Sequence, residues 1–188
     1  MQVISGKAKG HKLKAVPGEG TRPILDRTKT ALFDSIIEYI QDLDFLDLFG
    51  GSGAVGIEAL SQGAKSCQFC EISIPALNTI RANLKHTKLE QYAITTKVDA
   101  FRFIERCAKS YGIIYNAPPQ YKGIWLKVLK AIDKHPKMMT DDAWVITQID
   151  PKEVDPDELK KVEFKHLVEI DQKKMGNTLF ITHGKMPA

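Results

Sequence analysis

The sequence predicts an α/β fold, a mostly parallel twisted sheet with an antiparallel last strand, on three observations. From residue 44 onward, short apolar runs alternate with segments of helical periodicity, the order of a doubly wound sheet. The first of those runs breaks into Asp47-Leu48-Phe49-Gly50-Gly51-Ser52-Gly53-Ala54-Val55-Gly56, a strand turning through glycines into a helix. The last two apolar runs, 162–170 and 177–183, have no helix between them and therefore form a hairpin.

Each element follows from its local pattern. Residues 2–16 alternate loosely, with Val3, Lys7, Leu13 and Val16 set around Gly6 and Gly10, which predicts a short hairpin or irregular arm ended by Pro17-Gly18-Glu19-Gly20. From Asp26 the pattern is helical: Leu32, Phe33, Ile36, Ile37 and Ile40 recur at three- and four-residue steps, giving a helix that lids the domain. Strand 44–49 leads to helix 54–62. Strand 67–71 leads to a helix capped by Ser73, with Pro75 in its first turn and Ile74, Leu77, Ile80 and Leu84 as its apolar stripe. Strand 93–98 ends at Asp99, a helix runs to about 109, and strand 112–117 enters Pro118-Pro119. A helix over Lys127–Lys134 and a fifth strand at 143–149 complete the set before the hairpin.

At 188 residues the chain is long enough for a full core without staples, since about 150 residues already bury roughly 70% of the unfolded surface. The division expected is a basic arm over 1–30 and a domain over 31–188. The formal charge is +4, but residues 1–30 hold seven basic against two acidic side chains, while the rest hold 20 against 21. A basic arm on a neutral body suits a phosphate backbone; a solvated, flexible terminus explains the charge equally well. The three cysteines are an odd set and no apolar run is long enough for a signal peptide or a membrane span, so a cytoplasmic protein without membrane contact is expected. Cys67 and Cys70 have a metal-like spacing, but residues three apart in a strand point to opposite faces, so they read as buried thiols and no metal site is expected.

The glycine spacing Gly51-x-Gly53-x-x-Gly56, with Glu71 twenty residues after Gly51, also fits the dinucleotide fingerprint and admits a nicotinamide-dependent oxidoreductase. Asp47 argues against it: a carboxylate in the first strand suits a cationic ligand better than a pyrophosphate. Ligands of such sheets lie beyond the carboxyl ends of the strands. Asp47, Glu71 and Asp99 all fall there.

Asp-Leu-Phe-Gly-Gly-Ser-Gly resembles the first motif of S-adenosylmethionine-dependent methyltransferases. Thr21-Arg22-Pro23-Ile24-Leu25-Asp26-Arg27 followed by Ala31-Leu32-Phe33, the opening Ile4-Ser5-Gly6-Lys7 and the late Gly176-Asn177-Thr178 are similar to the RsmD family, which methylates a guanine N2 in bacterial small-subunit (16S) ribosomal RNA. The similarity spans essentially the whole chain. It implies a Rossmann-like class I methyltransferase fold, S-adenosylmethionine as cofactor, and small-subunit ribosomal RNA or the assembling subunit as partner of a monomeric protein. By this resemblance Asp47 faces the methionine end of the cofactor, Glu71 accepts from the ribose hydroxyls, and Asp99 with Ala100 reads the adenine edge. Phe49, Gly50, Gly51, Ser52, Gly53 and Ile72 complete the cofactor-binding set. Asp99 as the N-cap of the next helix is the alternative reading, and one carboxylate can do both. Lys7, Lys12, Arg22, Arg27 and Lys29 become RNA contacts, with ion pairing to Asp26 or helix capping as the alternative for Arg22, Arg27 and Lys29, the group beside Pro23.

The catalytic segment departs from the family. Guanine N2 is a poor nucleophile whose lone pair is delocalised into the ring, so the enzyme must align the amine and accept its N–H hydrogen bonds. Family members use Asp or Asn, then Pro-Pro, then Tyr or Phe, whereas this chain reads Tyr115-Asn116-Ala117-Pro118-Pro119-Gln120-Tyr121-Lys122-Gly123. Ungapped, Ala117 replaces the acceptor and Gln120 the aromatic; a one-residue shift on each side offers Asn116 and Tyr121 instead. The Pro118 carbonyl remains an acceptor, although Pro118-Pro119 also reads as a rigid strand exit. Trp125 is expected in the core. A catalytically impaired member that binds cofactor and ribosomal RNA as an assembly factor is the second reading.

Overall fold

The computed structural model describes residues 1–18, 24–155, 159 and 161–187. Within them the strands are β1 (Asp44–Asp47), β2 (Ser66–Glu71), β3 (Ala93–Lys97), β4 (Tyr111–Asn116), β5 (Met139–Ile149), β6 (Leu167–Met175) and β7 (Thr178–Lys185). The helices of two turns or so and longer are α1 (Asp26–Ile36), α2 (Ala54–Ser61), α3 (Ile74–Thr87), α4 (Ala100–Arg106) and α5 (Ile124–Asp133). The strands form one sheet in the order β3-β2-β1-β4-β5-β7-β6. β1 to β5 run parallel, and β7 pairs antiparallel with both β5 and β6. The expected α/β class, with its antiparallel last strand, is the observed one.

Strand direction alternates the two faces, and each face has its own core. One side collects Phe45, Cys67, Phe69, Ile113 and Tyr115 under α1, α2 and α3; the other collects Leu46, Cys70 and Ile114 under α4 and α5. The two cysteines therefore do point apart, each buried in a different layer. Ser73 caps α3 as the sequence predicts, its hydroxyl accepting from Ala76 N–H at 3.5 Å.

Two expectations shift. The run 162–170 becomes a strand only from Leu167, because the Asp133 carboxylate at the end of α5 takes the N–H groups of Lys165, His166 and Leu167 at 2.7–3.1 Å. The strand then runs on through Glu169, Asp171, Lys173 and Lys174, charges of the kind that blunt an open sheet edge. The N-terminal arm is a tight hairpin around the Gln2–Lys12 bridge, but not a separate body. Val3, Ala8 and Leu13 share a core with Leu32, Phe33 and Ile57, and the boundary drawn at residue 30 falls inside α1.

Candidate active site

The chain leaves β1 for β2 and β3 on one side and returns to β4 on the other, so β1 and β4 flank the point where strand order reverses. Ligands of open α/β sheets bind beyond the strand ends at that point. Asp47 closes β1 and is 2% exposed. It sits in register with Phe69 and Tyr115, and its Oδ1 accepts from Phe49 N–H at 3.3 Å. Burial pushes its carboxyl up to about 7; the N–H groups of Phe49 and Gly56 pull it down, and the Glu71 carboxylate pushes it further up.

The turn above Asp47 is shaped by its glycines. Gly50 N–H donates to Cys70 O, Gly53 N–H donates to Gly50 O, and Gly53 enters α2 at φ 80°, a conformation costly for other residues. Gly56 lets α2 lie directly on the sheet, since a Cβ there would stand 2.3 Å from the Phe69 ring. Glu71, at the end of β2, ties turn to strand: Oε2 accepts from Gly51 N–H at 2.9 Å and Oε1 from Ser73 N–H at 2.8 Å. Beside it Ile72 and Ile74 are exposed, an apolar step next to a carboxylate. Asp99 is the N-cap of α4, with Oδ1 accepting from Phe101 and Arg102 N–H. Ala100, the first residue of α4, is buried. Ser52 is held through its carbonyl by Asn83 Nδ2, and its hydroxyl donates to Met1 Sδ; Phe49 packs partly buried on the α4–α5 core.

Alternation decides the exit of β4. Ala117 packs on the core layer that holds Phe45 and Tyr115, the face of Asp47, whereas Asn116 lies on the other. Asn116 is fully buried, its Nδ2 donating to Trp125 O and Thr147 Oγ1 while Oδ1 has no partner among the described residues. Through Nδ2 the residue joins the packing between β4, β5 and α5, on the face opposite Ala117. Trp125 is in the core. Pro118 is buried and Pro119 exposed. Tyr121 is exposed, at φ 60°, with its hydroxyl donating to Asp150 Oδ2 at 2.6 Å. An aromatic residue with positive φ is a backbone outlier, and such strain concentrates at working sites.

A cleft of about 230 Å³ opens beside this exit, and it gathers segments remote in sequence: Leu25 at the N-cap of α1 and Arg27 within it, Gln120, Gln148 of β5, and Gly176-Asn177 in the β6–β7 turn. Lys7 and Lys12 are exposed on the arm and Arg27 on the cleft wall. Arg22 lies outside the described residues. Lys29 overturns the expectation of an RNA contact: it is fully buried, its Nζ 2.7 Å from Glu58 Oε2 and donating to Gln2 O. Glu58, equally buried, also accepts from the N–H groups of Ile4 and Ser5. Glu58 and Asn83, which joins Lys14 of the arm to Ser52 of the turn, escape sequence reasoning. The signal for both was a polar residue within an apolar stripe, beside Ile57 and between Ile80 and Leu84.

The chain is 39% identical over 153 residues to YlbH of Bacillus subtilis (strain 168), a provisionally named rRNA methyltransferase, an overlap covering 80% of this chain and 83% of that one. It is 27% identical over 145 residues to ribosomal RNA small subunit methyltransferase D of Escherichia coli (strain K12), covering 77% and 69% of the two. Its fold matches the provisionally named methyltransferase yhhF of Escherichia coli with a TM-score of 0.84 at 23% identity, over 98% of this chain and 97% of that one. The family model described as conserved hypothetical protein 95 matches residues 1–183, and with these relatives it shows that the chain belongs to the RsmD family.

Proposed function

We propose that the protein uses S-adenosylmethionine to methylate the exocyclic N2 of a guanine in small-subunit ribosomal RNA. One observation carries this reading: the acid-tipped glycine turn and the Pro-Pro exit leave the same ends of the neighbouring parallel strands β1 and β4, with a base-sized cleft bounded by Gln120 just past that exit. The residues present fit the cofactor. The buried Asp47 suits its cationic methionine end, Glu71 its ribose hydroxyls, and Ile72 with the cap at Asp99 and Ala100 its adenine. When bound, the cofactor supplies a methyl group on a sulfonium.

The chain's own contribution is alignment and hydrogen bonding. With Ala117 unable to accept, the Pro118 carbonyl receives an N–H of the amine, Gln120 bonds a base edge, and the Tyr121 ring stacks on an extruded base. Lys7, Lys12, Arg22 and Arg27 supply charge for the RNA, in the cytoplasm, with the protein as a monomer. Family membership leaves the oxidoreductase reading without support. Ala117 favours one second reading, an impaired member that binds RNA during subunit assembly.

The test is transfer of radiolabelled methyl from S-adenosylmethionine to small subunits lacking guanine-N2 methylation, with wild type beside Ala117→Asp. Wild-type incorporation recovered as N2-methylguanosine supports the proposal. Incorporation by Ala117→Asp alone favours the assembly factor, and incorporation at another atom or in another RNA overturns the assignment.

A further inference from the structure

The cleft beside β4 is lined with hydrogen-bonding groups of unequal kind. Arg27 carries only donors and makes no ion pair among the described residues; it stands over the β6–β7 turn, where a Cβ on Gly176 would lie 3.7 Å from its Nη2. Gln148 is oriented from below. The Tyr115 hydroxyl, kept neutral by burial that drives it well above its ordinary pKa, donates to Gln148 Oε1, which leaves the Nε2 donors for the cleft. Leu25 and Met175 supply apolar walls. At about 230 Å³ the cleft falls below the roughly 300–1,000 Å³ of pockets for larger ligands, a size for one base.

A donor-rich wall selects a base edge made of acceptors. Guanine presents O6 and N7, both acceptors, while adenine replaces O6 with an amine donor; Arg bonded to O6 and N7 is the commonest specific contact. A guanine held by that edge keeps its C2 amine on the far side of the ring, free to meet the exit of β4. We propose that this cleft seats the target base and that Arg27, supported by Gln148, is its specificity-determining residue, reading O6 and N7. The inference rests on the methyltransferase reading and deepens it.

The test uses small-subunit RNA carrying either guanine or 2,6-diaminopurine at the methylated position, once that position is mapped. Diaminopurine keeps the N2 amine and N7 but puts an amine where guanine has O6. The wild type is expected to favour guanine in kcat/KM by roughly 10–100-fold, the range of one good bidentate contact. Arg27→Met, at an exposed helical position that tolerates Met, is expected to bring the ratio near one by lowering turnover of guanine far more than that of diaminopurine. Equal losses on both RNAs with a shallower salt dependence would mark Arg27 as a phosphate contact and overturn the proposal, as would no loss on either. A wild type inactive on both RNAs defeats the methyltransferase reading by itself. The affinity ratio for the two RNAs, wild type against Arg27→Met, then sustains or overturns the base-reading role.

Discussion

Asp47→Asn should make the protein more stable and its cofactor site worse, by amounts that depend on pH. A carboxyl at about 7 in the folded chain against an ordinary 3.8 corresponds to about 4 kcal/mol of native-state penalty once both states are ionised. The sign follows from proton counts. Between those two values the folded chain holds the proton more tightly than the unfolded one, so this group destabilises increasingly as pH rises from about 4 to about 7 and is neutral below 4. Asn keeps the oxygen that accepts from Phe49 N–H but buries an amide N–H₂, at a cost of about 1–3 kcal/mol if unpaired. The net gain at pH 8 is then about 2 kcal/mol, or roughly 4–8 °C in Tm for a chain of this size. Calorimetric unfolding of both proteins at pH 4, 6 and 8 reads it: the mutant advantage should be absent at pH 4 and full at pH 8. Titration with S-adenosylmethionine should show wild-type affinity rising with pH up to about 7, because a cation selects the carboxylate, and a weak, pH-flat affinity in the mutant. A stability difference independent of pH, or cofactor affinity untouched by the substitution, would refute the reasoning.

Lys29→Met should cost about 3–5 kcal/mol in urea unfolding, because it strands the buried Glu58 carboxylate, while leaving the salt dependence of RNA binding unchanged. Gly56→Ala should cost about 1–3 kcal/mol and weaken cofactor binding, since the added methyl drives α2 off Phe69; chemical denaturation and calorimetry report the two losses together. Asn116→Ser should lower stability by about 1–2 kcal/mol and leave kcat within about twofold, as expected of a residue bonded to Trp125 and Thr147. A large fall in kcat without a fall in Tm would reinstate Asn116 as the amine acceptor.

The fold was legible because it rests on period and punctuation. Alternating strands and helices, the Ser73 cap and the glycine turn are local patterns, and the structure places them within a few residues of where the sequence does. Legibility failed where a partner distant in sequence decides. Lys29 reads as one more basic residue in a basic arm until Glu58 closes over it. The start of β6 is set by the Asp133 carboxylate 34 residues upstream of Leu167 rather than by the apolar run at 162. The cleft escapes for the same reason: Arg27, Gln120, Gln148 and Asn177 meet through the sheet order, which no local window contains.

The exit of β4 shows how parity resolves what spacing leaves open. Moving one residue along a strand exchanges faces, so Asn116 and Ala117 cannot serve interchangeably at one site. Asp47 and Tyr115 lie on the face of Ala117, and Asn116 lies on the other, its Nδ2 engaged by α5 and β5. On the proposed reading the acceptor position is occupied by a methyl group, and losing a side-chain acceptor costs about 3–4 kcal/mol if it behaves like an oxyanion-hole donor. A deficit of that size slows turnover by two to three orders of magnitude and leaves the remaining devices intact: the buried acid, the carboxylate on the glycine turn, and the tethered Tyr121 ring. A chain retaining these while lacking one acceptor fits a cofactor-binding protein with slow or backbone-assisted methyl transfer better than a bare RNA scaffold, because nothing in RNA binding alone calls for an ionisable group buried under the turn at a cost in stability.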